Sequence, residues 1–235
     1  MAIVTGSIDI QAADGGIFRG YYSRPADASP VPGLLLVQEV FGVNSHIRSV
    51  CDDYAAQGFA VLSPDVFWRA ERDVELGYDQ QGIERGVALR DKTRPEQAVA
   101  DLQSTVTSLR SLPACNGKVA AIGYCMGGNL VYRLAATGSI DAGISYYGAR
   151  LMSILDLVGS IAVPMQFHYG DLDQGIPLSE VDAVRAAFAG RRPGAEIHVY
   201  ANADHGFNCD QRRSHNPEAA TLARQRSLQF LRDTL

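Results

Sequence analysis

Short uninterrupted apolar runs alternate along this chain with stretches in which apolar positions recur every three or four residues. The runs are GLLLVQE at 33–39, FAVLSPD at 59–65, KVAAIGY at 118–124, DAGISYYG at 141–148, VPMQFHYG at 163–170 and AEIHVY at 195–200. Continuity of this kind predicts strands covered on both faces, as in a parallel sheet between helices. The helical pattern falls at 46–58, ended by Gly58, at 126–138, at 178–190, from near Pro95, and from about Pro217 to the end. Two earlier segments, 4–10 and 17–23, flank AADGG and predict an antiparallel hairpin. The whole therefore predicts an α/β fold, with a mostly parallel sheet, an N-terminal antiparallel hairpin and helices on both faces.

No internal repeat, low-complexity tract or long Pro/Gly/Ser linker interrupts the pattern, so residues 1–235 are expected to form one domain. The exception to the alternation is the polar interval 69–93, between the strand at 61–64 and the helix near Pro95. A connection of that length is either a decorative helix or a cover over an active site, and the cover is favoured.

Composition narrows the partners more than the fold. The chain has 46% apolar and 20% charged residues and a formal net charge of −5, with no basic block. That excludes intrinsic disorder and argues against a nucleic-acid or anionic-membrane surface, leaving small molecules. Asp9 lies inside the first apolar stretch, which therefore does not read as a signal peptide, and no later run suggests a membrane span. The cysteines at 51, 115, 125 and 209 are too few and scattered for a disulfide framework, so a reducing cytoplasm is expected.

The sharpest chemical signal is Gly123-Tyr124-Cys125-Met126-Gly127, between a strand and a helix. This is the context of a nucleophile elbow, G-x-S-x-G, with cysteine in place of serine. The alternative is a tight turn around an inert buried cysteine. In the elbow, glycines two residues either side leave room for a strained turn, and the helix N-terminus favours the Cys125 thiolate. Met126 N–H is then the first donor of an oxyanion hole. Asp173 follows one strand, in GDLDQGIP, and His205 follows another, in NADHGF. Both stand at C-terminal strand ends, where open parallel sheets build their sites. Nucleophile, acid, histidine is the chain order of α/β-hydrolases. Asp171 remains an alternative acid.

On these motifs, with Q-E-V-F-G at 38–42, G-Y-C-M-G-G at 123–128, Y-Y-G at 146–148, G-D-L-D at 170–173 and D-H-G-F at 204–207, the chain resembles the dienelactone hydrolases (carboxymethylenebutenolidases) over nearly its full length. The resemblance implies an α/β-hydrolase fold and a carboxylic ester hydrolase without cofactor, opening a carboxylate-bearing unsaturated lactone such as a dienelactone to give maleylacetate. It implies Cys125 as nucleophile, His205 as base and general acid, and Asp173 as the group that orients the imidazole. Glu39 corresponds to the family's carboxylate that bonds the resting cysteine and yields when substrate arrives; without the resemblance it would read as a surface carboxylate at a strand end. Val40 N–H becomes the second oxyanion donor.

The sequence also departs from the family. An arginine four residues after the histidine helps bind the substrate carboxylate in family members, and here that position is Cys209. Arg212 and Arg213 follow on the same loop, and Arg85 or Arg69 stands in the polar interval, any of which offers the bidentate fork a carboxylate requires. Tyr147 and Phe207 are further candidates for substrate contact, near strand ends, although Trp68, Tyr146, Tyr147 and Phe207 also suit a core. His46, His168, His198 and His215 lack metal-ligand spacing, so neither metal nor other cofactor is expected. The expected partner is a small lactone or ester, with a monomer or small homo-oligomer. The rivals are hydrolysis of another small ester or thioester, and a thiol redox sensor or silent binding protein on the same fold.

Overall fold

The computed structural model describes residues 1–27 and 29–235, so one position of the turn-rich segment 25–33 lies outside the described residues. The chain divides into two compact units, 1–121 and 122–235.

In the first unit, β1 (Ile3–Gln11) and β2 (Ile17–Pro25) form the expected hairpin, in register from Ile3↔Pro25 to Gln11↔Ile17. β2 also pairs antiparallel with β4 (Ala60–Pro64), which lies parallel to β3 (Val31–Val37), giving the order β1-β2-β4-β3. Leu34, Leu35, Leu36 and Val37 are wholly buried, as a run covered on both faces must be. Each such side chain contributes about 1.5–3 kcal/mol by leaving water. Helix α1 (Ser45–Ala56) starts where the Asn44 side chain accepts the Ile47 N–H, and α3 (Pro95–Ser111) starts with proline in its first turn.

The polar interval contains a helix the sequence left unassigned, α2 (Gln80–Lys92), capped by Asp79 on Gly82 N–H. It folds back over the loop that follows β3. Leu76 N–H donates to the Phe41 carbonyl at 2.9 Å, Gly42 bridges Glu75, and the Phe41 and Tyr78 rings lie 4.5 Å apart. A Cβ on Gly86 would stand 2.4 Å from the Val40 carbonyl, so only glycine lets α2 approach so closely. The interval thus covers the loop that carries Glu39 and Val40.

β5 (Cys115–Tyr124) carries the chain into the second unit. There β6 (Ala142–Tyr146), β7 (Met165–Gly170) and β8 (Ala195–Tyr200) run parallel in that order, from Gly143↔Met165 and Met165↔Ala195 onward. Their helices are α4 (Met126–Ala135), α5 (Leu178–Phe188) and α6 (Pro217–Thr234). Tyr132, Phe167 and Phe188 pack together under β7 with centroids 5.5–6.4 Å apart. A 3₁₀ segment, Leu151–Ser160, lies between β6 and β7, where the sequence pattern predicts no element. No helix among the described residues is long and apolar enough to cross a membrane.

Candidate active site

The second unit brings three of the sequence candidates together. Between the last residue of β5 and the first of α4, Cys125 adopts φ 55° and ψ −114°, in the half of backbone space that L-residues avoid. A Cβ on Gly123 would stand 2.1 Å from the Gly127 carbonyl, so the glycines at these two positions are a steric requirement of the turn. The Cys125 N–H donates to the Tyr146 carbonyl at 3.0 Å, and its own carbonyl accepts from Gly128 N–H at 3.0 Å. Residues 119–124 are buried, whereas Cys125 and Met126 are partly exposed. The elbow thus lifts the sulfur out of the core at the start of α4, where the Met126 N–H also lies.

Asp173 and His205 meet between the loops after β7 and β8. The His205 Nδ1 and Asp173 Oδ2 are 2.7 Å apart, and the other carboxylate oxygen accepts Gly175 N–H at 2.9 Å. Asp173 is buried and His205 about a quarter exposed. Asp171, the alternative acid, is exposed, and its N–H donates to the Tyr200 carbonyl. With Nδ1 engaged, Nε2 is left for the hydrogen bond between His205 and Cys125. Burial by itself would lower the imidazole, but the negative charge on the Cys125 sulfur and the bonds to Asp173 and Cys125 push it up to about 10. The arrangement holds a proton between a thiol and an imidazole whose second nitrogen is fixed by a carboxylate. That is the geometry of nucleophilic catalysis at a carbonyl.

The aromatic candidates pack together beside the histidine. Tyr147 and Phe207 have no exposed surface. Tyr147 packs its ring 5.1 Å from the imidazole of His205 and 5.4 Å from Phe207, a wall behind the histidine. Its φ of 37° is unusual for an aromatic residue, and no sequence signal announced it. On the loop after His205, Cys209 is wholly buried and Arg213 exposed, whereas the half-buried Arg212 lays its guanidinium over Gly206, with Nη1 2.3 Å from where a Cβ would be.

In the first unit, Glu39 is wholly buried at the end of the β3 segment, not the surface carboxylate its position alone would suggest, and Val40 is buried beside it. The neighbouring Gln38 ties this loop down, accepting Val66 N–H at 3.1 Å and donating to the Glu39 carbonyl at 3.3 Å. Arg85 is an exposed residue paired with Glu71. Arg69 has its fork filled by Asp101, at 2.8 Å through both Nε and Nη2, and by Asp14. None of the four cysteines is in a disulfide.

Strained cysteine elbow, acid and histidine on successive strand-end loops, and parallel strands between helices define an α/β-hydrolase. Within that class, residues 18–235 match the family model described as the dienelactone hydrolase family. The chain is 34% identical over 230 residues to a carboxymethylenebutenolidase of Pseudomonas putida, covering 97% of each chain, and 34% identical over 233 residues to that of Pseudomonas sp. strain P51, covering 98% of this chain and 96% of the relative. The crystal structure of a dienelactone hydrolase from Anabaena variabilis superposes with a TM-score of 0.74 over the full length of both chains, at 17% identity, a likeness of fold. The chain belongs to the dienelactone hydrolase family and is a hydrolase.

Proposed function

We propose that the chain opens a carboxylate-bearing unsaturated lactone, a dienelactone giving maleylacetate, through a Cys125 nucleophile. The observation that carries this reading is the Asp173–His205 contact of 2.7 Å, with Cys125 on the same imidazole at a strained elbow. The thiolate attacks the lactone carbonyl, forming the C–S bond as the carbonyl π electrons move to oxygen. Met126 N–H, at the open first turn of α4, and Val40 N–H serve as the oxyanion donors. Collapse of the tetrahedral adduct breaks the ring C–O bond and expels an enolate, which the His205 imidazolium protonates. Water then attacks the acyl-thioester with His205 as base, releasing the product and restoring the thiol–imidazole pair. No metal or other cofactor enters these steps.

Glu39 is assigned as the carboxylate that holds the resting sulfur until substrate displaces it. Its complete burial supports that role, because an ionisable side chain there needs a polar or charged partner. A thiolate generated only beside substrate is also protected from oxidation. Among the arginines, Arg212 is assigned to the substrate carboxylate, since its guanidinium lies against Gly206, next in the chain to His205. The absence of a cation at buried Cys209 favours a second reading, hydrolysis of a neutral small ester or thioester. A cytoplasmic location is part of the proposal, supported by four cysteines that form no disulfide.

Hydrolysis of cis- and trans-dienelactone against p-nitrophenyl acetate by the purified wild type, Cys125→Ala and Glu39→Gln separates these. Cys125→Ala is expected to abolish turnover of every substrate, and retained activity sinks the triad. A wild type that prefers p-nitrophenyl acetate transfers the assignment to the neutral ester. Equal iodoacetamide labelling of Cys125 in the wild type and Glu39→Gln from pH 5 to 9 removes the gate.

A further inference from the structure

Behind the triad, the second unit holds a histidine that the chemistry above does not use. His168 lies wholly buried in β7. Its Nδ1 is 2.7 Å from the Tyr200 hydroxyl, and its Nε2 is 2.8 Å from Gln166 Oε1 and 3.0 Å from Ser227 Oγ. The Gln166 amide has only one orientation open to it. Its Nε2 donates to Glu196 Oε2 at 2.7 Å and to the Arg226 carbonyl at 3.3 Å, both acceptors, so Oε1 faces the imidazole. His168 Nε2 therefore carries the proton, and Nδ1 accepts from Tyr200. Burial, aided by the nearby His198 and Arg226, holds this imidazole well below the ordinary histidine range and so keeps it neutral.

Ring, carbonyl and strand of His168 lead toward the three residues of the site by different routes. The imidazole stacks on the Tyr146 ring at 4.3 Å, its register partner across β6 and β7, and the Tyr146 and Ser227 hydroxyls are 2.8 Å apart. The Tyr146 carbonyl is the one that accepts the Cys125 N–H. The His168 carbonyl accepts Tyr147 N–H at 2.8 Å, holding the residue with φ 37° whose ring walls His205. Two residues further along β7 comes Gly170, and then the loop with Asp173.

We propose that His168 is a positioning residue for the triad: its imidazole, bonded to β8 through Tyr200 and lying against α6 at Ser227, holds the end of β6 and with it the elbow of Cys125, and so keeps the strand whose carbonyl at His168 holds Tyr147 against His205 in place. An aliphatic side chain would fill the space as well, but only a group with a partner on each nitrogen fixes both the height and the rotation of its neighbours. The inference rests on the Cys125–His205–Asp173 reading above.

The test uses His168→Gln, which keeps a donor toward Gln166 but loses the stack, and Tyr200→Phe, which keeps the ring and removes the hydroxyl that serves Nδ1 and Arg226. Turnover of p-nitrophenyl acetate and dienelactone is measured well below each variant's Tm, together with the pH dependence of iodoacetamide labelling of Cys125. A displacement of the order of 1 Å at reacting groups costs up to about 100-fold, so kcat in His168→Gln is expected to fall roughly 10- to 100-fold with KM within about 2-fold. The labelling midpoint is expected to move by about half a pH unit or more, since moving the imidazole changes its interaction with the sulfur. Tyr200→Phe is expected to show both effects more weakly. Should His168→Gln not fold, Tyr200→Phe and Ser227→Ala decide the matter. Wild-type kcat and labelling in the folded variants overturn the proposal, and so does a fall in kcat with an unmoved labelling profile, which loss of folded enzyme would produce. Turnover by Cys125→Ala instead overturns the triad; an inactive Cys125→Ala beside a normal His168→Gln or Tyr200→Phe overturns the positioning role alone.

Discussion

Two buried aspartates, one in each unit, accept hydrogen bonds of nearly the same length from a side chain that carries positive charge. In the first unit Asp101 takes Arg69 through both carboxylate oxygens at 2.8 Å and the Trp68 indole N–H at 2.8 Å. In the second, Asp173 takes His205 at 2.7 Å. Arg69 has its remaining Nη1 on Asp14, and a guanidinium does not give up a proton in a protein, so that cluster ends in itself. His205 ends the other way, with its second nitrogen toward Cys125 and a proton that can move. A buried carboxylate thus closes a cluster or leaves its partner with a further atom to offer, according to which side chain it holds.

Replacing each aspartate by asparagine separates the two roles. Asp173→Asn is expected to lower kcat/KM by roughly 10²- to 10⁴-fold, the range for general acid–base catalysis, while the fold persists. Steady-state kinetics on circular-dichroism-matched protein checks this, and a loss under about 10-fold breaks the contrast. Asp101→Asn is expected to cost about 1–3 kcal/mol in urea unfolding, because Arg69 and Trp68 lose a charged acceptor, with activity per folded molecule unchanged.

The arginines extend the comparison, since Arg69 is held by Asp101 and Asp14 while the Arg212 guanidinium lies against Gly206 beside His205. Arg212→Ala is expected to lose about 1.5–3 kcal/mol, roughly 10- to 150-fold in kcat/KM, on dienelactone and nothing on p-nitrophenyl acetate. Arg85→Ala and Arg213→Ala, both at exposed positions, are expected to change turnover of either substrate by less than about 2-fold. Equal losses in all three variants undo the assignment of Arg212.

The pH dependence of stability gives the finest reading. The imidazole of His205 is raised from its ordinary 6.5 to about 10, so its stabilising contribution is complete below pH 6.5 and is lost as pH rises toward 10. The Tm difference between wild type and Asp173→Asn should therefore narrow from pH 6 to pH 10. The difference between wild type and Asp101→Asn should stay level over that range, because arginine does not titrate there. A widening gap for Asp173→Asn means the imidazole is not charged in the folded state.

Much of this was legible in the residues. The apolar runs at 33–39 and 163–170 read as strands because a strand buried on both faces cannot alternate, and the structure buries them as expected. The elbow was legible because its steric demand is local, within five residues around Cys125. The helix α2 was not, since its buried residues are only Gly82, Gly86 and Leu89, too few to print a periodicity. Trp68 shows the same limit from the other side. Sequence placed it among core or substrate contacts, and it stacks on Phe18 at 5.1 Å while donating to Asp101.

By itself, then, the sequence determined the strands, the helices with a periodic apolar face and which residue types stand at the strand ends, because periodicity, capping and the sterics of a turn act over a few residues. Only the tertiary structure decided that Asp173 and not Asp171 meets His205, that Arg69 is engaged by Asp101, that Tyr147 and Phe207 are buried, and that His168 stacks on Tyr146. Those choices depend on distances between loops tens of residues apart. They turn on a few ångströms of packing, and no pattern of neighbours along the chain encodes them.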